Sequence, residues 1–213
     1  MAGGPLRRLA YRHRWIYDSV TAVSSLPLGG PARLRRLAAD WLLAALPPGA
    51  RVLDLCCGSG EAAAPLLAAG AQVTGLDIAP RALELAGRRH PTLTLVQGLA
   101  EDPPLAPASF DGIQLSLALH EFPDQERRQL LRAARRLVSP GGRLALVDLH
   151  AAGPLMHLPQ QLFCSLFETE TATAFLALDL GQELQSCGWR PLRHELLAGG
   201  ALQRWLAEPL PPP

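Results

Sequence analysis

Residues 51–64 read RVLDLCCGSGEAAA. An apolar run carrying a single acid, Asp54, leads into Cys56-Cys57, then Gly58-Ser59-Gly60, then an alanine-rich stretch. The pattern is a short buried strand (Arg51–Cys56), a glycine turn and a helix (Glu61–Ala69) ended by Gly70. Glycines at such a turn let a ligand approach the backbone closely. The ligand is a phosphate, a metal on the adjacent thiols, or a group with no phosphate. Spacing excludes the metal: Cys56, Cys57, Cys164 and Cys187 match no zinc pattern, and neighbouring residues seldom reach one ion together.

Outward from this turn, strands and helices alternate. Arg33–Leu46 puts Leu34, Leu37, Ala38, Trp41, Leu42 and Ala45 on one helical face before Pro47-Pro48-Gly49 stops it. Strands are expected at Gln72–Asp77, Thr92–Gln97, Phe110–Leu117 and Arg143–Asp148. Helices are expected at Pro80–Arg89 and at Gln125–Val138, the latter capped by Asp124. Ser139–Gly142 reads as a turn. Gln182–Cys187 is helical, and Arg190–Leu197 with Ala201–Leu206 forms a closing hairpin. The strands are apolar nearly throughout, as parallel strands covered on both faces should be. The expected fold is α/β: a doubly wound (Rossmann-like), mostly parallel seven-stranded sheet with helices on both faces and an antiparallel C-terminal hairpin. Residues 1–48 are read as an N-terminal helical segment packing on the core. Residues 49–213 are the main body, with a lid-like insertion at 151–180.

Bulk properties agree with one ordered domain. The chain has 213 residues, 48% of them apolar, and a net charge of +1. That balance gives no reason to expect nucleic acid as a partner. No run of apolar residues is long enough to span a membrane and no secretory signal is visible, so a cytoplasmic location is expected. The stretch RRLAYRHRWIYDSV interleaves Arg7, Arg8, Arg12 and Arg14 with apolar residues. It is read as folding back over the ligand, with weak contact to an anionic membrane surface as the other reading. The oligomeric state is not legible.

Gly58-x-Gly60-x-x-Ala63, with Asp77 about 20 residues downstream, matches a dinucleotide fingerprint. Asp54 decides against it. A carboxylate inside the first strand opposes an incoming pyrophosphate but suits a cationic ligand such as S-adenosylmethionine, with its ammonium and sulfonium.

Val52-Leu53-Asp54-Leu55-Cys56-Cys57-Gly58-Ser59-Gly60 resembles the first motif of the class I S-adenosylmethionine-dependent methyltransferases. Gly75-Leu76-Asp77-Ile78-Ala79 resembles the second-strand motif, Gln97–Asp102 the segment beside adenine, and Ser109–Ile113 with Leu117–Glu121 the fourth strand and its exit. Leu137–Leu144 resembles the turn into strand five. Within that superfamily the chain is most similar to the ubiquinone/menaquinone-biosynthesis methyltransferases, through Tyr17-Asp18, the Cys-Cys variant and the Leu119-His120 step.

The resemblance implies methyl transfer from S-adenosylmethionine to a small, apolar acceptor such as a prenylated quinol, by in-line displacement. It implies cofactor contacts from Asp54, Cys56, Gly58, Gly60, Asp77, Ile78, Ala100, Glu101 and Ser116, with Asp77 on the ribose. His120, after strand four, is the candidate base; His150 is a lesser one, and His13 and His157 less again. Two positions depart from the family: Cys56 stands where glycine is usual, which requires ordinary backbone angles there, and Leu99 replaces an Asp that receives the adenine amino group. An NAD(P)-dependent oxidoreductase and a non-catalytic S-adenosylmethionine-binding protein are the alternatives left open by the residues.

Overall fold

The computed structural model describes residues 29–154, 160–161 and 170–211. The basic stretch 7–17, His13, His157, Cys164 and the apolar residues Leu158, Leu162, Phe163, Leu166 and Phe167 lie outside them.

In chain order the elements are α1 (Pro31–Ala45), β1 (Arg51–Leu55), α2 (Ala64–Ala68), β2 (Gln72–Asp77), α3 (Pro80–Arg89), β3 (Thr94–Gln97) and β4 (Phe110–Ser116). A 3₁₀ turn (Leu119–Glu121) follows, then α4 (Asp124–Leu137), β5 (Val138–Leu149), α5 (Glu170–Leu176), α6 (Leu180–Ser186) and β6 (Trp189–Leu197). A second 3₁₀ turn (Ala198–Gly200) leads to β7 (Leu202–Pro209). The seven strands form one sheet in the order β3-β2-β1-β4-β5-β7-β6. The first five pair in parallel; β7 is antiparallel to both β5 and β6. The doubly wound sheet and its closing hairpin are therefore as the sequence predicts.

Each face of the sheet has its own core. On one, Leu34, Leu37, Trp41 and Leu42 of α1 pack with Leu66 of α2, Ala86 of α3, and Val52, Ala145 and Val147 of the strands. On the other, Leu130, Leu131, Ala134 and Leu137 of α4 pack with Phe175 of α5, Leu184 of α6, and Leu53, Leu55, Ile113, Leu144 and Leu146. Alternate strand residues thus serve opposite layers, which explains why β1, β4 and β5 are apolar nearly throughout.

Several boundaries differ from expectation. α2 begins at Ala64 rather than Glu61, because Pro65 has no N–H and is tolerated only at a helix start. Asp124 lies inside α4 rather than capping it; its Oδ1 accepts from Arg127 Nη2 at 2.9 Å. Ser139–Gly142 belongs to β5, where pairing jumps from Phe110↔Val138 to Gly112↔Arg143 and a bulge absorbs the extra residues.

The α4–α5–α6 layer is braced by charge. Arg127, almost fully buried, meets Glu183 of α6 through Nη2 at 3.1 Å and lies 5.6 Å from the centre of the Phe175 ring. Arg128 Nε reaches the other Glu183 oxygen at 3.1 Å. Breaking a buried ion pair leaves an uncompensated charge and costs about 3–5 kcal/mol. Arg127→Ala is therefore expected to lower the urea midpoint by that equivalent, and the double change Arg127→Met with Glu183→Leu to restore much of it. Equal losses in both variants would mean that the charges themselves are unimportant.

Candidate active site

The C-terminal ends of β1, β2, β4 and β5 converge where the strand order reverses between β1 and β4, the place at which open α/β sheets bind ligands. Between β1 and α2 the chain turns through three left-handed residues, Cys56 (φ 63°), Gly58 (φ 52°) and Gly60 (φ 77°). The expectation of ordinary angles at Cys56 is thus corrected. The position is left-handed, and a side chain there costs roughly 1–2 kcal/mol that glycine avoids. Cys57, buried, occupies the space left by Gly75, where a Cβ would stand 2.8 Å from its Sγ. Burial pushes both thiols up, with Asp54 and Asp77 adding to it, which disfavours the thiolate form.

The turn is tied down on three sides. Asp77, at the end of β2, accepts from Gly58 N–H at 2.8 Å and from Ala79 N–H at 2.9 Å. Arg89 of α3 donates to Ser59 Oγ at 3.1 Å and pairs with Glu61. Arg35 of α1 pairs with the other Glu61 oxygen at 2.7 Å. Asp77 thus both shapes the turn and keeps lone pairs on each oxygen for hydroxyl donors.

Beneath the turn lies Asp54, 1% exposed. Its cross-strand partner is Gln114 of β4, whose Nε2 donates to Asp54 Oδ1 at 3.0 Å and to Ala62 O at 2.9 Å. That double duty fixes the amide orientation, because Ala62 O can only accept. Among the described residues, Asp54 Oδ2 and Gln114 Oε1 are buried with no partner. Burial pushes the Asp54 carboxyl up to about 7, against the opposing hydrogen bond from Gln114 and with the Asp77 charge adding to the rise. Gln114 carries no sequence signal of its own; it is found only through the β1–β4 register.

The remaining candidates divide. Gly58 faces open space where a Cβ would stand, whereas at Gly60 that space is filled by His90, Leu93 and Ala86. A side chain at Gly60 would meet these groups, and its φ of 77° lies in the left-handed region that glycine adopts freely. Ala100 is buried in the α4–α6 side core, so only its backbone can reach a ligand. Ile78 is 61% and Leu99 45% exposed. They lie just past the paired ends of β2 and β3, an apolar surface at the edge of the crevice. Glu101 and Ser116 are half-buried at the ends of their segments.

His120 is 5% exposed in the 3₁₀ turn after β4, edge-on to Phe175 at 6.4 Å between ring centres. Its Nδ1 lies 2.5 Å from Oδ1 of Asp148, a β5 residue that the sequence reading did not single out. His150 Nδ1 donates to Gly200 O at 2.8 Å, which ties β5 to the turn before β7 and gives it a structural role.

Buried acceptors without donors and an open glycine suit the ammonium-bearing cofactor. Comparison with known proteins agrees. The family described as "Methyltransferase domain" matches residues 52–142. An uncharacterized methyltransferase of Synechocystis sp. is 42% identical over 92% of both chains. A 2-phytyl-1,4-naphtoquinone methyltransferase of Synechococcus elongatus is 34% identical over 75% of this chain and 70% of its own. In fold, the crystal structure of a Burkholderia thailandensis 1,6-didemethyltoxoflavin-N1-methyltransferase superposes with a TM-score of 0.66 at 19% identity, covering 99% of this chain and 92% of that one. These likenesses set the nicotinamide reading aside: the chain belongs to the class I S-adenosylmethionine-dependent methyltransferases.

Proposed function

We propose that the acceptor is a small, apolar ring compound of the prenylated quinol kind, methylated by direct in-line displacement. The observation that carries this reading is the placement of His120. It is a titratable ring just past the end of β4, buried against Leu119 and Phe175, on the opposite layer from the cofactor acids. An apolar, water-poor surrounding favours loss of charge from sulfur and holds a greasy ring. The names of several relatives point the same way, among them the quinone methyltransferase of Synechococcus elongatus.

S-adenosylmethionine supplies the methyl group on a sulfonium that already carries a good leaving group. The chain's own work is to bind and orient. Asp77 takes the ribose hydroxyls, and Asp54 with Gln114 offers negative charge to the ammonium. Gly58 leaves its backbone open, and Ile78 and Leu99 cover the adenine by apolar contact. Glu101, Ser116 and the backbone at Cys56 and Ala100 complete the binding set. Much of the rate comes from positioning the acceptor about 3–3.5 Å from the methyl carbon. His120 accepts the proton that the acceptor gives up. We read α1 as part of an N-terminal segment packed on the core. The described residues of segment 151–180 are read as part of a cover on the acceptor side, where Thr171 Oγ1 of α5 donates to Glu121 O at 3.4 Å and Gln160 Nε2 donates to His150 O at 2.6 Å. Among the described residues no helix is long and apolar enough to cross a membrane.

Transfer of labelled methyl to a panel of quinols, phenols and amines tests the acceptor class. Quinols should be labelled first; labelling of amines alone would end the quinol reading, and labelling of none would favour a binding role without catalysis. His120→Ala should slow turnover by roughly 10²-fold or more, and an effect below about threefold would leave positioning as the whole mechanism. Asp77→Ala should weaken S-adenosylhomocysteine binding by about 1–3 kcal/mol through lost charge-assisted hydrogen bonds; calorimetry with unchanged affinity would remove Asp77 from the site.

Asp54 gives a pH signature. Its folded value, about 7, lies above its unfolded value, so the fold favours the protonated form. Stability attributable to Asp54 is then intact below pH about 4 and is lost as pH rises towards 7, by at most ~1.4 kcal/mol per pH unit. Asp54→Asn keeps the acceptor for Gln114 and removes the titration. The difference in unfolding free energy between the two proteins should therefore grow in favour of the Asp54→Asn variant from pH about 4 to about 7 and then level off. A flat difference would place the Asp54 pKa at its ordinary value.

A further inference from the structure

Asp54 and Gln114 are register partners on the neighbouring parallel strands β1 and β4, 1% and 0% exposed. One bond joins them, Gln114 Nε2 to Asp54 Oδ1 at 3.0 Å, and the second Nε2 hydrogen goes to Ala62 O at 2.9 Å. The amide has no further hydrogen to give; what remains to it is Oε1, an acceptor. Among the described residues, that Oε1 and Asp54 Oδ2 are the buried side-chain polar atoms with no partner. The two orphans thus belong to groups already in hydrogen-bond contact, one on each side of a single pair. Leaving both unanswered is costly.

A single proton answers both. A protonated carboxyl keeps one oxygen as the acceptor for Nε2 and turns the other into an O–H donor, for which Oε1 is the free acceptor of the bonded amide. The surroundings favour that neutral form. Among the described residues, β2 faces Asp54 with the Asp77 carboxylate, and the turn faces it with the thiols of Cys56 and Cys57, whose pKa values are themselves raised. α2 contributes no titratable side chain, and at the turn Arg35 and Arg89 both pair with Glu61. Burial, with the Asp77 charge adding to it, raises the Asp54 pKa to about 7.

We propose that Asp54 and Gln114 form a proton-exchange pair: in the cofactor-free protein Asp54 is a neutral acid whose Oδ2–H donates to Gln114 Oε1, and binding of a cofactor with an ammonium group expels that proton to solvent. This rests on the reading that Asp54 serves the ammonium. The exchange balances. The Oδ2–H bond breaks, its electron pair stays on the carboxylate, and the proton leaves. An N–H of the ammonium becomes the new donor, while Nε2 goes on donating to Oδ1. Gln114 serves both forms, as acceptor for the acid and as donor for the carboxylate, which an apolar residue there would not do. Only the ionised form is competent to pair, and its fraction falls about tenfold per pH unit below the pKa of the cofactor-free protein, so cofactor affinity falls with it.

The test uses the full chain, with S-adenosylhomocysteine as the ammonium-bearing probe and 5′-methylthioadenosine as the nucleoside thioether that lacks the ammonium. In ¹³C-labelled protein the Asp54 carboxyl signal is identified by its loss in Asp54→Asn. At pH 6 it should report a protonated carboxyl without ligand and a carboxylate with saturating S-adenosylhomocysteine. Calorimetry at pH 6 in two buffers of different ionisation enthalpy should show close to one proton released per S-adenosylhomocysteine bound, and none with 5′-methylthioadenosine or in Asp54→Asn. From pH 8 to pH 6 the affinity for S-adenosylhomocysteine should fall about tenfold in the unaltered protein and stay within about twofold in Asp54→Asn. Gln114→Met should raise the pH at which Asp54 ionises and weaken binding at pH 8 by about tenfold, because nothing then donates to the carboxylate. A carboxylate at pH 6 in the cofactor-free protein overturns the proposal, whether or not Gln114→Met folds; so does proton release that 5′-methylthioadenosine matches. A carboxyl that stays protonated at pH 6 with S-adenosylhomocysteine bound would instead overturn the reading of Asp54 as the partner of the ammonium, and the exchange with it.

Discussion

A carboxyl group buried in the first strand, with one oxygen answered by Gln114 and the other unanswered among the described residues, is the constraint around which this end of the sheet is arranged. Burying such a group is unfavourable unless something supplies a donor or a positive charge. The turn above it is held closed by Asp77, Arg89 and Arg35, and Gln114 keeps the carboxyl aimed by spending both N–H groups on Asp54 and Ala62. A ligand with a fixed positive charge offsets that arrangement; a diphosphate aggravates it.

The opposite layer of the sheet carries the buried His120–Asp148 pair. Strand alternation sends Val52, Asp54 and Gln114 towards α1–α3, and Leu146, Asp148 and the His120 turn towards α4–α6. The proposed cofactor acids and the proposed base thus lie on opposite faces of the sheet. Behind His120, the contacts run through Phe175 to Arg127 and Glu183, so that this face is braced by a buried ion pair.

Cys56 and Leu99 show two ways in which the family's pattern is met by different residues. Cys56 accepts left-handed strain that glycine would avoid, and its thiol packs against the core in return. Leu99 puts an exposed apolar side chain, close to the exposed Ile78, where a polar one is usual, so the proposed adenine contact there is one of apolar area rather than a side-chain hydrogen bond.

The sequence by itself determined the strand–helix rhythm, the glycine turn, the antiparallel closing hairpin and the acids Asp54 and Asp77, because each of these is written in local composition and spacing. It misplaced the start of α2 and the cap of α4, where Pro65 and Asp124 have uses that depend on neighbours. At Gly60, a candidate for the ligand, His90, Leu93 and Ala86 fill the space that a Cβ would take, a requirement for glycine that the local sequence does not show. Only the tertiary structure brought Gln114 to Asp54, 60 residues apart, and Asp148 to His120, 28 residues apart. The physical reason is register. Which side chains face one another across parallel strands is set by how whole strands align against two packed layers, and no local stretch of sequence encodes that alignment.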